Sequence, residues 1–201
     1  MTLSFAVTFD YRCPFACNLH EHLLAGLDAA ADWDVRFVPL CQGQLSIESG
    51  QPSVWDDPTR DTGMLALQTG IAVRDHHPDA FRTVHRALFA ARHRHGRRID
   101  DRDVVVSVLQ AAGLDADDVL ARVDDRSALA TIRTEHTDAV ERYEVFGVPT
   151  LIVGDDAVFI RLMEGTDGSD PARSRTTIER LLALSTGWPE LNELKHTRVS
   201  R

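Results

Sequence analysis

The chain has 201 residues, 43% of them hydrophobic, and a formal charge of −9 at pH 7, enough apolar material for one sizeable core. Its isoelectric point near 5.4 argues against a generic nucleic-acid or anionic-membrane binder, since both need a basic footprint. No apolar stretch approaches the roughly 20 residues that span a bilayer, and no leader-like segment opens the sequence, so a cytoplasmic protein is expected.

Residues 3–9, "LSFAVTF", alternate and carry β-branched and aromatic side chains, as a buried strand does. Asp10-Tyr11-Arg12 turns the chain, and Leu19, Leu23, Leu24 and Leu27 then recur at helical spacing between Cys13 and Ala31. "DVRFVPL", residues 34–40, reads as a second strand. Strand, helix and strand with short joins make a βαβ unit with parallel strands. From Asp57 to about Tyr143 the pattern is helical, punctuated at Pro78, Gly96 and Gly113. It predicts helices over about 58–75, 78–95, 101–112, 115–123 and 127–143, with Asp100, Asp115 and Asp125 near the caps. The basic run "ARHRHGRR", residues 91–98, reads as a solvated helix end. Strands return at 149–154 and 157–162 as a hairpin about Asp155-Asp156. A last helix follows Asp170-Pro171 to about Ser185. The tail holds Trp188 and two leucines, whose first half is expected to pack back while the last few residues fray.

Two of the three cysteines stand four positions apart in Cys13-Pro14-Phe15-Ala16-Cys17. A redox cysteine needs a setting that favours its thiolate, and a helix start supplies free N–H groups and the positive end of the macrodipole. Pro14 suits the first helical position and leaves Cys13 exposed at the tip, with Arg12 adding positive charge. Position i+4 falls roughly 40° from position i around a helix, so Cys17 shares the face of Cys13. Their Cα atoms would lie about 6 Å apart, within the range of roughly 4.4–6.8 Å that a disulfide tolerates. Cys41, after the second strand, should open toward the same sheet edge, lining the site, serving as a resolving thiol, or packed as a small hydrophobe. His20 at i+7 makes a zinc reading conceivable, but a fourth ligand is not identified and no metal site is assigned. His76, His77, His85, His93 and His95 read as structural or exposed. "FGVPT", residues 146–150, opens the third strand with a proline that can be cis, baring the preceding backbone to an extended peptide or a thiol.

With "FDYRCPF" after the first strand, a long helical stretch, "GVPT" before a hairpin and a closing helix, the sequence resembles the DsbA-like family of thioredoxin-fold oxidoreductases, including its FrnE-like cytoplasmic relatives. The resemblance implies an α/β thioredoxin-like fold with a helical insertion between the βαβ unit and a C-terminal ββα unit. Residues 1–56 and 144–188 would form the thioredoxin-like domain, 57–143 the insertion and 189–201 a tail. It also implies that Cys13 is the nucleophile, that Pro14 and Phe15 tune it, and that Val148-Pro149 is a cis-proline dipeptide facing it, with Thr150 beside them at the substrate. The family's Cys-Pro-x-Cys would place the second cysteine at Ala16, whereas here it stands at Cys17. Two routes therefore stay open. Either Cys17 resolves the mixed disulfide, or a small thiol such as mycothiol or glutathione completes the exchange with no bound cofactor. All but one of the 22 basic residues are arginine, Lys195 being the exception, a GC-rich signature that points to an actinobacterial source and so to mycothiol. The expected partner is a thiol or disulfide, small molecule or protein, rather than nucleic acid or membrane. The sequence is also similar to kappa-class glutathione transferases and 2-hydroxychromene-2-carboxylate isomerases, although serine is usual in their catalytic turn. A third possibility is a degenerate thioredoxin fold that binds ligands without redox chemistry, with Ala16 marking the loss.

Overall fold

The computed structural model describes residues 2–198; residues 199–201, the end of the expected tail, lie outside the described residues. The order is β1 (Leu3–Phe9), α1 (Pro14–Asp28), β2 (Trp33–Pro39), α2 (Gln42–Leu45), a 3-10 turn (Pro58–Arg60), α3 (Met64–His76), α4 (Pro78–His93), α5 (Arg102–Ala111), α6 (Ala116–Asp124), α7 (Ser127–Tyr143), β3 (Thr150–Val153), β4 (Asp156–Phe159) and α8 (Pro171–Gly187). The four strands form one sheet in the order β2-β1-β3-β4. This is the expected thioredoxin-like arrangement, a βαβ unit joined through helices to a ββα unit.

β1 is buried from residue 5 to residue 9 without alternation, so both faces of the sheet are covered there. It pairs in parallel with β2 from Leu3 opposite Trp33 to Phe9 opposite Pro39. Both strands therefore end at one edge, where Cys13 and Cys41 open the following helices. The antiparallel pairing of β1 with β3 sets Val7 opposite Leu151 and carries the 146–150 turn to that same edge. α1 packs on α8, α3 lies against α4, α6 and α7, and α7 rests on β2. His85 of α4 joins these parts. Its ring lies 4.7 Å from Phe9, 5.2 Å from Tyr11, 5.3 Å from Phe37, 4.9 Å from Phe81 and 5.0 Å from Phe89, so one aromatic cluster ties the βαβ unit to the helices.

Several boundaries differ from the sequence reading, each for a local reason. The first helix after residue 57 starts only at Met64, because Asp57 caps a short 3-10 turn and Asp61 accepts the Gly63 N–H at 2.8 Å. Asp101 rather than Asp100 caps α5, since the Asp100 carboxylate is held by Arg98 at 2.8 Å. The cap position of α7 is Arg126 in the left-handed region, φ 65°, while Asp125 accepts the Ser127 N–H. β4 stops at Phe159, although Ile160 still donates to the Pro149 carbonyl at 2.9 Å. The short α2 has no counterpart in the sequence reading. Trp188 remains 55% exposed, so the first half of the tail lies along α8 and β4 rather than entering the core.

Candidate active site

Cys13 occupies the N-cap of α1, with Pro14 in the first turn. Its Sγ accepts the Ala16 N–H at 3.4 Å and donates to the Val148 carbonyl oxygen at 3.2 Å. The residue is only 4% exposed, a correction to the expected open tip: the 146–150 turn lies over the sulfur. Burial pushes the Cys13 thiol above its ordinary pKa, and nearby Asp10 adds to the rise. The N–H groups of Ala16 and Phe15 and the charge of Arg161 work the other way. The resting group is therefore a neutral thiol hydrogen-bonded to Val148, with anion-stabilising groups already in place. Arg12 is turned to other partners. Its guanidinium is clamped between Asp10 at 3.0 Å and Asp61 at 2.9 Å.

The Val148–Pro149 peptide bond is cis, and both residues are buried beside Cys13. Thr150 corrects a second expectation. Its N–H donates to Thr8 Oγ1 and its hydroxyl to the Gly147 carbonyl, both at 2.8 Å. Both of these polar groups brace the turn. The rim is aromatic: Phe15 is half-buried, and Phe146, 73% exposed, lies 5.3 Å from Phe159. Arg161 stands over the Phe15 ring, Cζ to centroid 4.9 Å.

Cys17 is 1% exposed and its Sγ donates to Glu21 Oε1 at 3.5 Å. Burial and that carboxylate push its pKa up to about 12. Glu21 also holds Arg94 and accepts the Thr166 N–H at 3.0 Å, and Asn18 donates to the Leu162 carbonyl at 2.9 Å. The 162–166 segment thus covers the face of α1 on which Cys17 sits. Geometry here makes Cys17 a covered, protonated thiol rather than a poised resolving one. Cys41 is likewise buried, its Sγ donating to Asp61 Oδ2 at 3.4 Å. Burial and Asp61 push its thiol far up. All three cysteines are free.

His20 is not a partner of the cysteines. Its Nε2 lies 3.3 Å from the Thr8 carbonyl, and its Nδ1 meets His85 Nε2 at 2.8 Å. His85 Nδ1 in turn meets the Tyr11 hydroxyl at 2.7 Å. A carbonyl can only accept, so His20 Nε2 carries a proton; the neutral rings then run in one direction, Tyr11 O–H to His85 to His20 to Thr8. Burial lowers the pKa of His20 to about 4 and puts that of His85 well below its ordinary value. Among the described residues no three His, Cys, Asp or Glu side chains converge as a metal group.

A sequence model described as a DSBA-like thioredoxin domain matches residues 57–172, more than half of the chain. This chain belongs to the DSBA-like thioredoxin domain family. The matched span holds Val148, Pro149 and Arg161 and begins after Cys13. A curated relative, the thiol:disulfide interchange protein DsbA of Pseudomonas syringae pv. tomato, is 33% identical over 145 residues, 72% of this chain and 59% of that protein. The chain thus spans well under two thirds of that relative's length. Among solved structures, 2-hydroxychromene-2-carboxylate isomerase is similar at a TM-score of 0.61 and 17% identity, covering 92% of this chain and 98% of the isomerase. The cytosolic disulfide reductase DsbM of Pseudomonas aeruginosa, solved with GSH, gives 0.61 at 18% identity, covering 90% of this chain and all of that one. These two likenesses concern the fold.

Within this DSBA-like chain, sequence reasoning placed Cys13, Pro14, Phe15, Val148 and Pro149, and the fold brings them together. It missed Glu21, Asp61, Phe146 and Arg161. Glu21 was within reach, because it stands at i+4 from Cys17, where helical side chains meet. Arg161 was not, since its approach to Phe15 depends on the β3–β4 register that sets Ile160 against Pro149.

Proposed function

We propose that this DSBA-like chain is a thiol-disulfide oxidoreductase in which Cys13 is the nucleophile and a low-molecular-weight thiol, glutathione or mycothiol, completes the exchange. The observation that carries the reading is the placement of Cys13 Sγ between the Ala16 N–H and the Val148 carbonyl. An incoming disulfide that engages Val148 takes the acceptor from the Cys13 thiol, which gives up its proton to solvent. The helix N–H groups and Arg161 then stabilise the thiolate. Cys13 Sγ attacks one sulfur of the disulfide; a Cys13–S bond forms, the S–S bond breaks, and the second sulfur leaves as a thiolate that takes up a proton. A small thiol attacks the mixed disulfide, restoring Cys13 and carrying the other sulfur away as a new disulfide. The burial of Cys17 under the 162–166 segment and its protonation favour this external route over an internal one. A cytoplasmic setting belongs to the reading, because the second step needs an abundant reduced thiol pool. Substrates are small-molecule or protein thiols and disulfides.

Mass spectrometry of mixed disulfides trapped from wild type, Cys13→Ser and Cys17→Ser tests it. Adducts on Cys13 in wild type and in Cys17→Ser, with none on Cys17 or Cys41 in Cys13→Ser, are expected. An unmodified Cys13, with conversion of a glutathione-conjugate acceptor in its place, would assign the chain to transferase or isomerase chemistry.

A further inference from the structure

We infer that Arg161 is an anion-receiving residue of this site, so that Cys13 is built to meet small thiols and disulfides that carry a carboxylate. The inference rests on the thiol-exchange reading and adds a substrate class to it.

Three observations place the guanidinium. Ile160 donates to the Pro149 carbonyl at 2.9 Å, which sets residue 161 beside the turn that covers Cys13. The Arg161 guanidinium lies over the ring of Phe15, two residues after Cys13, at 4.9 Å from Cζ to the ring centre. Among the described residues it has no other partner: no carboxylate pairs with it, and it is exposed. Other arginines of this chain, whose net charge is −9, do pair with carboxylates. Arg12, Arg74, Arg82, Arg86 and Arg94 all hold carboxylates. A guanidinium placed over an aromatic ring and unpaired with any carboxylate still has N–H groups to offer one, in the forked geometry arginine offers best. Burial of the Cys13 sulfur leaves its rim to fix what approaches, and there, among the described residues, Arg161 stands unpaired with a carboxylate beside aromatic side chains. Such a rim suits a glutathione-like carboxylate thiol better than a neutral sugar thiol such as mycothiol.

The test compares two alkylating reagents of similar size, anionic iodoacetate and neutral iodoacetamide, with the rate read at Cys13 by mass spectrometry. In wild type the ratio of iodoacetate to iodoacetamide rate should exceed that of Arg161→Gln by about fivefold, the order expected of one exposed ion pair. Arg161→Lys should keep most of the preference, and about 1 M salt should remove it. Glutathione disulfide should likewise lose more rate in Arg161→Gln than bis(2-hydroxyethyl) disulfide does. An identical reagent ratio in wild type and Arg161→Gln would overturn the inference while leaving the thiol-exchange reading standing. A Cys13 that reacts with neither reagent in either protein would overturn both.

Discussion

Cys13 Sγ lies 3.2 Å from the carbonyl oxygen of Val148, 135 residues further along the chain. The contact holds the sulfur as a donor, and so as a thiol. Because burial also raises its pKa, the thiolate fraction at neutral pH is small and grows with pH. The rate of Cys13 alkylation should therefore rise through a midpoint above the roughly 8.5 of a free cysteine. A profile already flat by pH 7 would mean a depressed pKa and contradict this geometry.

Burial first and Glu21 second raise the pKa of Cys17. Glu21 accepts from the Cys17 thiol, holds Arg94 and anchors Thr166 of the covering segment. Glu21→Gln removes the charge that helps push Cys17 to about 12 and loosens the cover. Cys17 alkylation by iodoacetamide at pH 8 should then rise roughly tenfold, in keeping with a fall of about one pKa unit, while Cys13 changes little. Equal Cys17 rates in the two proteins would show that burial alone protects it.

Arg12 clamps the two sheet-edge turns to each other. Asp10 and Asp61 have side chains only 2% exposed, and Arg12 is their shared cation. Gly43 and Gly63 make room for it: a Cβ at Gly43 would overlap the Asp61 carboxylate, and one at Gly63 would press on the Arg12 side chain. Arg12→Ala leaves two buried carboxylates without their cation and should cost about 3 kcal/mol of stability, read from urea unfolding. It should also raise the Cys13 midpoint further, since the Asp10 charge is then uncompensated. A loss under about 1 kcal/mol would mean that water screens the pair.

The buried histidines make a stability prediction with a definite sign. Burial depresses the pKa of His20 to about 4, and that of His85 well below its ordinary value. A histidine whose folded pKa lies below its unfolded value of about 6.5 supports the fold fully above that value. The support is lost as pH falls from about 6.5 toward 4, where the unfolded chain binds protons that the folded one refuses. Roughly 3 kcal/mol should go over that window for His20 alone. His20→Gln or His85→Gln should flatten the pH dependence of the urea midpoint between pH 7 and 4.5, whatever each does to stability at pH 7. An unchanged slope would contradict the neutral chain from Tyr11 to Thr8.

Periodicity and turn chemistry made the fold legible. The buried run at residues 3–9 and the leucines of α1 define the βαβ unit, and Asp170-Pro171 opens α8 with the Asp170 carboxylate on the Arg173 N–H. What failed to show were contacts made across the chain. Nothing near Arg12 says that it will turn to Asp61 rather than toward Cys13, because that choice depends on where residues 57–63 return. The exposure of Cys13 was misjudged for a similar reason, since the turn that covers it comes from residue 148. Thr150 looked available in the sequence because its partners, Thr8 and Gly147, are set by strand pairing. The placement of Cys13 at a helix start was local and therefore readable; the cover over Cys17, made by residues 162–166, is not local.

The central claim is that Cys13 works without Cys17. The most direct measurement is the steady-state rate of glutathione-dependent reduction of bis(2-hydroxyethyl) disulfide by wild type, Cys13→Ser and Cys17→Ser at pH 8. The account predicts that Cys17→Ser keeps at least about half of the wild-type rate, less than a 1 kcal/mol change in barrier, while Cys13→Ser falls to the uncatalysed background. Loss of activity in Cys17→Ser comparable to that in Cys13→Ser would contradict it and restore Cys17 as the resolving thiol.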